Sequence, residues 1–326
     1  MREYSYRCHD FSLLTPGFKK RFVAPLLPYI PWVIPANVIT IISNLFVYIA
    51  FFIALNYNTP AGRILIAGCL FLYLLGDHLD GMQAKKTKTG SALGEFCDHY
   101  LDAFNNGIIL FTAFMVFGIY DPILIAVVLT TSYLAHMAVF YEQFKTGWLT
   151  FEKLGSLEAV LLILLLVGIS AFEPVYLFFT TNVVSAYRLI DILFGLSAIG
   201  ATSTFITTLK RTPGRGNEVW LFVVGIITVA FIAARLFSNL ELFLFITLYA
   251  SLYVGLIMKG HLVDGIERIP DLVIPSVLLI LNFVTPLETQ SIFWILALYL
   301  LMRIFVLVFQ TFNALKTYWV WANPRI

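Results

Sequence analysis

Apolar runs of about twenty residues recur along the whole chain, and they limit its fold more than any other feature. A run of about 20 apolar residues crosses the ~30 Å hydrocarbon core of a bilayer as one helix. Hydrophobic residues make up 60% of this sequence, against about 45–50% in soluble domains. The sequence therefore predicts an all-α, polytopic integral membrane protein with about ten transmembrane helices. We place them at residues 37–57, 61–83, 91–119, 122–144, 155–172, 188–209, 218–236, 239–258, 271–287 and 290–312.

Basic residues predict the orientation of these helices. With ten spans, seventeen of the 21 Lys and Arg residues fall on the side of the N-terminus and three on the other side. Because Lys and Arg concentrate in cytoplasmic loops, we expect both ends of the chain to face the cytoplasm. A bacterial inner membrane and a eukaryotic endomembrane fit this pattern equally. The net charge is only +2 and no basic tract is long, which excludes nucleic acid as a partner.

The chain divides into three predicted segments. Residues 1–36 carry the basic triplet 19–21 among aromatic residues and prolines, which is typical of a segment that lies on the membrane surface. Residues 37–210 hold about six spans and most of the acidic residues that lie in or beside spans, so we interpret them as a catalytic core. Residues 211–326 hold about four further helices, for which the pattern indicates no function.

Carboxylates cluster around the loop between the second and third spans. Asp77 and Asp80 end one span, and Glu95, Asp98 and Asp102 begin the next. The spacings i,i+3 and i,i+4 place the aspartates of each helix on one face, and an antiparallel hairpin would bring the two faces together. Converging carboxylates repel one another unless cations neutralise them. Hard oxygen ligands suit Mg²⁺ or Mn²⁺, and two such ions bridged by carboxylates are a common device for phosphoryl displacement.

Small and basic residues lie among these carboxylates. Gly81, Ala84 and Gly94 would let a ligand approach the helix backbone closely. Lys85 and the lysines that follow it have two readings, as phosphate ligands or as residues that set the orientation in the membrane.

Residues 77–102, DHLDGMQAKKTKTGSALGEFCDHYLD, resemble the signature of the CDP-alcohol phosphotransferase family, D-x2-D-G-x2-A-R-x8-G-x3-D-x3-D. The matching positions are Asp77, Asp80, Gly81, Ala84, Gly94, Asp98 and Asp102. Lys85 stands where Arg is usual, which keeps the charge but loses the bidentate fork. Asn37, in the stretch PANVIT, resembles the family's P-N-x-x-T entry to the first helix, although it also reads as a helix cap.

The resemblance implies a reaction. Members of the family move a phospho-alcohol or phosphatidyl group from a CDP-linked donor to an alcohol and release CMP. Four aspartates in the family bind two divalent ions, which implies that role here for Asp77, Asp80, Asp98 and Asp102. The nucleotide would contact a further set of residues, namely Asn37, Gly81, Ala84, Lys85 and Gly94.

Three stretches resemble the choline/ethanolamine phosphotransferase branch of the family. They are the opening Tyr6, Asp10, Ser12 and Leu13, the run GEFCDHYLD at 94–102, and Tyr141, Glu142, Thr146, Gly147, Leu149 and Glu158. That branch joins CDP-choline or CDP-ethanolamine to diacylglycerol, a membrane lipid. We therefore expect Glu158, Tyr141 and Glu142 to bind the head group, although Glu158 also reads as an interfacial carboxylate. A homodimer is common in the family.

The acceptor hydroxyl needs a general base, and two residues are candidates. We favour His99, with Glu95 one helical turn away to orient its ring. Asp102 is the alternative, although an Asp that binds a metal is a poor base. Two other functions stay open: a phosphatidyl transferase that joins CDP-diacylglycerol to a soluble alcohol, and a divalent-cation transporter. The acids lie at the ends of the spans, so we expect the active site to face the cytoplasm.

Overall fold

The computed structural model describes residues 6–184, 186–283 and 289–315. Most of these residues are helical. The helices within them are α1 (Thr15–Phe18), α2 (Ala36–Asn56), α3 (Pro60–Thr87), α4 (Ala92–Phe117), α5 (Pro122–Thr146), α6 (Ser156–Ile169), α7 (Glu173–Thr180), α8 (Leu189–Arg211), α9 (Asn217–Leu236), α10 (Asn239–Lys259), α11 (Val273–Phe283) and α12 (Thr289–Leu315). Two short strand pairs join β1 (Cys8–Asp10) to β2 (Leu149–Phe151) and β3 (Asn182–Val184) to β4 (Tyr187–Arg188).

The predicted all-α membrane fold is confirmed, and a helix lies in each of the ten predicted spans. Within the described residues, eight helices are long and apolar enough to cross a membrane, or nine if α6 and α7 form one bent span. The span expected at 271–287 contains helix α11, Val273–Phe283, and its last four residues lie outside the described residues.

A buried carboxylate lies at the start of α11. The Asp271 carboxylate accepts a hydrogen bond from the backbone N–H of Ile274 at 3.1 Å, which begins the helix there rather than earlier. The same carboxylate accepts from the Tyr299 hydroxyl at 2.7 Å and from Arg303 Nη1 at 2.5 Å. The buried carboxylate of Asp271 is therefore paired with the guanidinium of Arg303 from α12. A buried charge needs such a partner.

Residue contacts divide the chain into two compact units. The first is formed by the described residues of Met1–Gly118 and Thr150–Leu189, with Leu315. The second is formed by Ile119–Leu149 and the described residues of Ile190–Ala314. In the second unit α5 packs against α9 and α10, so helices from both sides of residue 210 share one core. The three sequence segments with boundaries at 36 and 210 stay a prediction.

The first unit is built around α2, which packs against both α3 and α4. The bend of 118° between α6 and α7 belongs to this unit. Buried Arg63 holds the bend, since its Nη1 donates to the Ser170 carbonyl at 2.9 Å and its guanidinium lies 3.6 Å from the centre of the Tyr176 ring. The Ser170 carbonyl has no helical partner at the end of α6, and Arg63 supplies the hydrogen-bond donor that it needs.

Two close contacts fix α2 against its neighbours. A Cβ added at Gly76 of α3 would lie 2.3 Å from Ser43 Cβ of α2, so only glycine allows this approach. At the next residue of α2, the Asn44 Oδ1 accepts a hydrogen bond from Asn105 Nδ2 of α4 at 2.6 Å. These contacts determine how the ends of α3 and α4 face each other.

We expect Gly76→Ala to destabilise the protein by about 1–3 kcal/mol, because the new methyl group overpacks the α2–α3 contact. Gly68→Ala in the same helix is the matched control, since an added Cβ there meets nothing within 4 Å. Ser43→Gly should restore the stability of the Gly76→Ala variant. Thermal unfolding in one detergent measures all three. Equal unfolding temperatures for the two alanine variants would contradict this account of the packing.

Candidate functional site

The end of α3 and the start of α4 bring three of the four predicted metal ligands together. The carboxylates of Asp77, Asp98 and Asp102 each offer an oxygen within 4.8 Å of the others. The turn between the helices makes this possible. Lys88 closes α3 in a left-handed conformation with φ 56°, and the Ser91 hydroxyl begins α4 by accepting from the Gly94 N–H at 3.1 Å. The antiparallel hairpin expected from the sequence therefore forms, with its acidic faces together.

Neighbouring side chains orient two of these carboxylates. Tyr73 lies one helical turn before Asp77 on α3. Its hydroxyl donates a hydrogen bond to Asp102 Oδ1 at 2.7 Å. His78 Nδ1 lies 3.2 Å from Asp77 Oδ2. Tyr73 was not anticipated from the sequence, although its spacing of four residues from Asp77 places it on the same helix face.

The fourth predicted ligand, Asp80, is placed differently. It is buried, its Oδ2 accepts from the Thr40 hydroxyl at 2.5 Å, and its Oδ1 accepts from the Gly81 N–H at 2.5 Å. It does not belong to the three-carboxylate group, so its role as a metal ligand stays a prediction. Thr40 was also missed, although it ends the PANVIT stretch that carries Asn37.

The three-carboxylate group fits a hard divalent cation. Asp98 Oδ1 is buried and accepts no hydrogen bond from any residue that the structure describes. A buried carboxylate oxygen without a donor is unfavourable, and three anionic groups this close repel one another. A cation with oxygen ligands would remove both penalties. The residues present therefore suit Mg²⁺ or Mn²⁺, and Asp77, Asp98 and Asp102 would hold it.

Two of the predicted nucleotide residues meet where α2 begins. A Cβ added at Gly94 would lie 3.2 Å from Asn37 Oδ1, so the missing side chain makes room for the asparagine. A Cβ at Gly81 would meet nothing within 4 Å, which leaves open space beside that turn. Ala84 lies one turn further along α3, and the side chain of Lys85 is exposed. Nucleotide binding by this set stays a prediction.

The predicted base lies beside the carboxylates. His99 and Glu95 are both buried, with 7% and 8% of their surface exposed, and they interact electrostatically. His99 Nε2 lies 3.7 Å from Asp98 Oδ2. The ring of Tyr6, from the N-terminal segment, lies 6.0 Å from the His99 ring between centres. His99 therefore lies beside the candidate metal centre, and its role as the base, with Glu95 to orient it, stays a prediction.

Glu158, a predicted head-group residue, binds protein groups in the first unit. Its Oε1 accepts from the Ser12 hydroxyl at 2.5 Å and from the Leu14 N–H at 2.9 Å. Its Oε2 accepts from the Gly155 N–H at 2.8 Å. Both carboxylate oxygens are thus engaged at the start of α6, and head-group binding by Glu158 stays a prediction.

The other two predicted head-group residues belong to the second unit. The Tyr141 hydroxyl donates to Glu267 Oε1 at 2.6 Å and accepts from the Gly216 N–H at 2.9 Å. Glu142 is buried and accepts from Arg211 through Nε at 2.5 Å and Nη2 at 2.8 Å. These partners come from the C-terminal half, which the sequence pattern did not connect to residues 141 and 142. Their head-group role stays a prediction.

These observations define a class, a polytopic membrane protein with a candidate divalent-metal centre on a helical hairpin. Comparison with known proteins then identifies the family. A family model described as CDP-alcohol phosphatidyltransferase matches residues 33–199, half of the chain. The chain belongs to the CDP-alcohol phosphatidyltransferase family, and the resemblance recognised in residues 77–102 is confirmed.

Individual relatives are more distant. A Saccharomyces cerevisiae protein named choline/ethanolaminephosphotransferase 1 is 29% identical over 232 residues, which cover 65% of this chain and 58% of that protein. An Arabidopsis thaliana protein of the same name is 30% identical over 110 residues, or 32% and 28% of the two chains. A Dictyostelium discoideum protein, named only as a class-I family member, is 27% identical over 166 residues, or 48% and 43%. The chain spans about half the length of the curated relatives it matches.

We expect Asp98→Asn to weaken Mn²⁺ binding at least about 100-fold, because it removes a charged ligand from the group of three. Tyr73→Phe should weaken binding about tenfold, the usual effect of losing a hydrogen bond to a metal ligand. Titration calorimetry on the purified protein measures both. Asp121→Asn is the control, since Asp121 only accepts hydrogen bonds at the start of α5. Unchanged Mn²⁺ affinity in Asp98→Asn would refute the proposed ligand set.

Proposed function

We propose that this protein moves phosphocholine or phosphoethanolamine from CDP-choline or CDP-ethanolamine to diacylglycerol and releases CMP. The convergence of Asp77, Asp98 and Asp102 within 4.8 Å carries the proposal. Family membership supports a transferase that uses a CDP-linked donor. The names of the relatives in yeast and Arabidopsis support choline and ethanolamine as the alcohols.

The reaction forms one P–O bond and breaks another. The lipid hydroxyl oxygen attacks the β-phosphorus, the bridging P–O bond to the α-phosphate breaks, and CMP leaves with the bridging oxygen. Bound Mg²⁺ or Mn²⁺ ions, two in the family pattern, would neutralise charge on the diphosphate and stabilise the leaving CMP. Asp77, Asp98 and Asp102 would hold these ions and, through them, the diphosphate of the donor. Asn37, Gly81, Ala84, Lys85 and Gly94 would contact the nucleotide.

His99 would take the proton from the attacking hydroxyl. Its ring is buried beside Asp98, and Glu95 lies one turn earlier on the same helix, where it could orient the imidazole. Glu95 would act as a positioning residue because it orients the imidazole. Asp102 already accepts a hydrogen bond from Tyr73 and belongs to the three-carboxylate group, so it is the weaker candidate for the base.

One substrate would come from the membrane and the other from the aqueous phase. Diacylglycerol would reach the site laterally from the bilayer, whereas the CDP-alcohol is soluble. The distribution of Lys and Arg in the sequence supports a site that opens to the cytoplasm. A homodimer, common in the family, is part of the same proposal.

CMP release by the purified protein with Mg²⁺ or Mn²⁺ tests the function. We expect release with CDP-choline or CDP-ethanolamine plus diacylglycerol, and no release when CDP-diacylglycerol is paired with a soluble alcohol. Release only in the second pairing would keep the metal centre but reverse the direction of transfer. If neither pairing releases CMP while vesicles accumulate Mn²⁺ without nucleotide, the protein is a transporter and the proposal fails.

We expect His99→Gln to slow the transfer step by about 10²–10⁴-fold, the usual contribution of a general base. Binding of Mn²⁺ and of the CDP-alcohol should stay within about threefold of wild type, because no proposed ligand is changed. Rapid-quench measurement of a single turnover separates the two effects. His136→Gln in α5 is the control histidine. A wild-type rate in His99→Gln would assign the base to Asp102 instead.

A further inference from the structure

The N-terminal segment of residues 6–35, here called the N-terminal strap, lies on the helices that carry the candidate site. One end is tied to the chain that precedes α6. The Phe11 N–H donates to the Phe151 carbonyl at 3.0 Å, and the Leu13 N–H donates to the Lys153 carbonyl at 3.2 Å. The strap is therefore a fixed part of the first unit rather than an independent surface segment.

The side chain of Glu158 fastens this end of the strap. It accepts hydrogen bonds from the Ser12 hydroxyl and the Leu14 N–H through one oxygen, and from Gly155, the residue before α6, through the other. Ser12 in turn accepts from the Thr15 N–H at 3.0 Å and the Thr15 hydroxyl at 2.6 Å. Hydrogen bonds to a carboxylate are stronger than those between neutral groups, so this contact is the main polar attachment at that end.

The other end of the strap is held by α3 itself. Gln83 Nε2 donates to the carbonyls of Pro31 and Ile34, at 2.9 and 3.0 Å. Lys86 Nζ donates to the carbonyls of Leu27 and Ile30, at 3.0 and 2.7 Å. Both donors lie within the family signature at residues 77–102. The stretch that carries the metal-binding aspartates therefore also binds the strap.

Two aromatic rings of the strap, one before the first attachment and one between the two, lie against the two histidines beside the metal-binding aspartates. The Tyr6 ring lies 6.0 Å from the ring of His99, next to Asp98. The Phe18 ring lies 5.5 Å from the ring of His78, next to Asp77. Burial of the Tyr6 hydroxyl, with the nearby charges of Cys8 and Glu95, raises the pKa of Tyr6, although 41% of its surface is exposed.

We propose that the N-terminal strap keeps water away from the carboxylate cluster, so that the lipid hydroxyl rather than water accepts the phospho-alcohol. Glu158 is the positioning residue that holds the strap in place, and Tyr6 and Phe18 are the residues that cover the site. The inference rests on the proposed function. It makes residues 6–35 a determinant of acceptor specificity rather than a membrane anchor alone.

The competing reaction uses the same donor. A water oxygen attacks the β-phosphorus, the bridging P–O bond breaks, and the products are CMP and free phosphocholine or phosphoethanolamine. The protons of the water pass to a base and then to solvent. A site that activates the diphosphate for one hydroxyl activates it for another, so exclusion of water decides how much donor is lost.

The ratio of free phospho-alcohol to product lipid, measured with radiolabelled CDP-choline or CDP-ethanolamine and diacylglycerol, tests the inference. We expect Glu158→Gln to raise this ratio about tenfold, which corresponds to about 1.4 kcal/mol of lost discrimination. Ser12→Ala should raise it by a similar factor. The double variant should raise it no further, because both changes break one contact. Trypsin should also cleave at Arg7 and Lys19 faster in these variants.

Glu173→Gln is the matched control, a half-exposed carboxylate at the start of α7 in the same unit. Its ratio should equal that of wild type. If Glu158→Gln does not fold, Ser12→Ala and Tyr6→Ala make the same test. A parallel loss of transfer and hydrolysis, with the ratio unchanged, would mean that Glu158 is merely structural and would overturn the inference. A raised KM for the CDP-alcohol with an unchanged ratio would overturn it in favour of head-group binding.

The two proposals fail in different ways. If wild-type protein releases no CMP from CDP-choline or CDP-ethanolamine, the proposed function fails, and the specificity role fails with it. If wild type makes product lipid while both strap variants keep its product ratio, the function stands and only the inference is wrong.

Discussion

Repulsion between three carboxylates is the interaction on which the rest of the site depends. Ligand oxygens of Asp77, Asp98 and Asp102 lie within 4.8 Å of one another, in helices that are long and apolar enough to cross a membrane. Such an arrangement is stable only when donors and cations neutralise it. Tyr73 supplies one hydrogen bond to the group. Gly76 directly precedes Asp77, so the close α2–α3 contact at Gly76 also fixes the part of α3 that carries this carboxylate.

The strap extends this dependence to distant parts of the sequence. Glu158 lies more than 140 residues from Ser12, yet their hydrogen bond holds a segment against the histidines of α3 and α4. A transferase that activates a diphosphate must bring the acceptor in and keep water out. In the proposed mechanism the carboxylates of the hairpin hold the activated donor, the acceptor arrives from the bilayer, and the N-terminal strap would keep water out. The two roles are physically linked, because Gln83 and Lys86 bind the strap from within the signature itself.

Much of this follows from the sequence because it depends on local periodicity. Helix spacing alone placed the aspartates of α3 and α4 on facing surfaces, and apolar length alone located the helices. The features that the sequence did not predict depend on contacts between residues far apart in the chain. Asp80 carries the same spacing signal as Asp77 but bonds to Thr40, forty residues away. Tyr141 meets Glu267, 126 residues away, and no pattern near either residue indicates the pair.

Electron paramagnetic resonance of the Mn²⁺-loaded protein tests the central claim most directly, because it reports how many ions the hairpin holds and whether they share ligands. The account predicts two ions per chain with a spin-coupled spectrum that changes when CDP-choline or CDP-ethanolamine is added, and loss of that coupling in Asp77→Asn. A spectrum of isolated ions, unaffected by the CDP-alcohol and unchanged in Asp77→Asn, would contradict it.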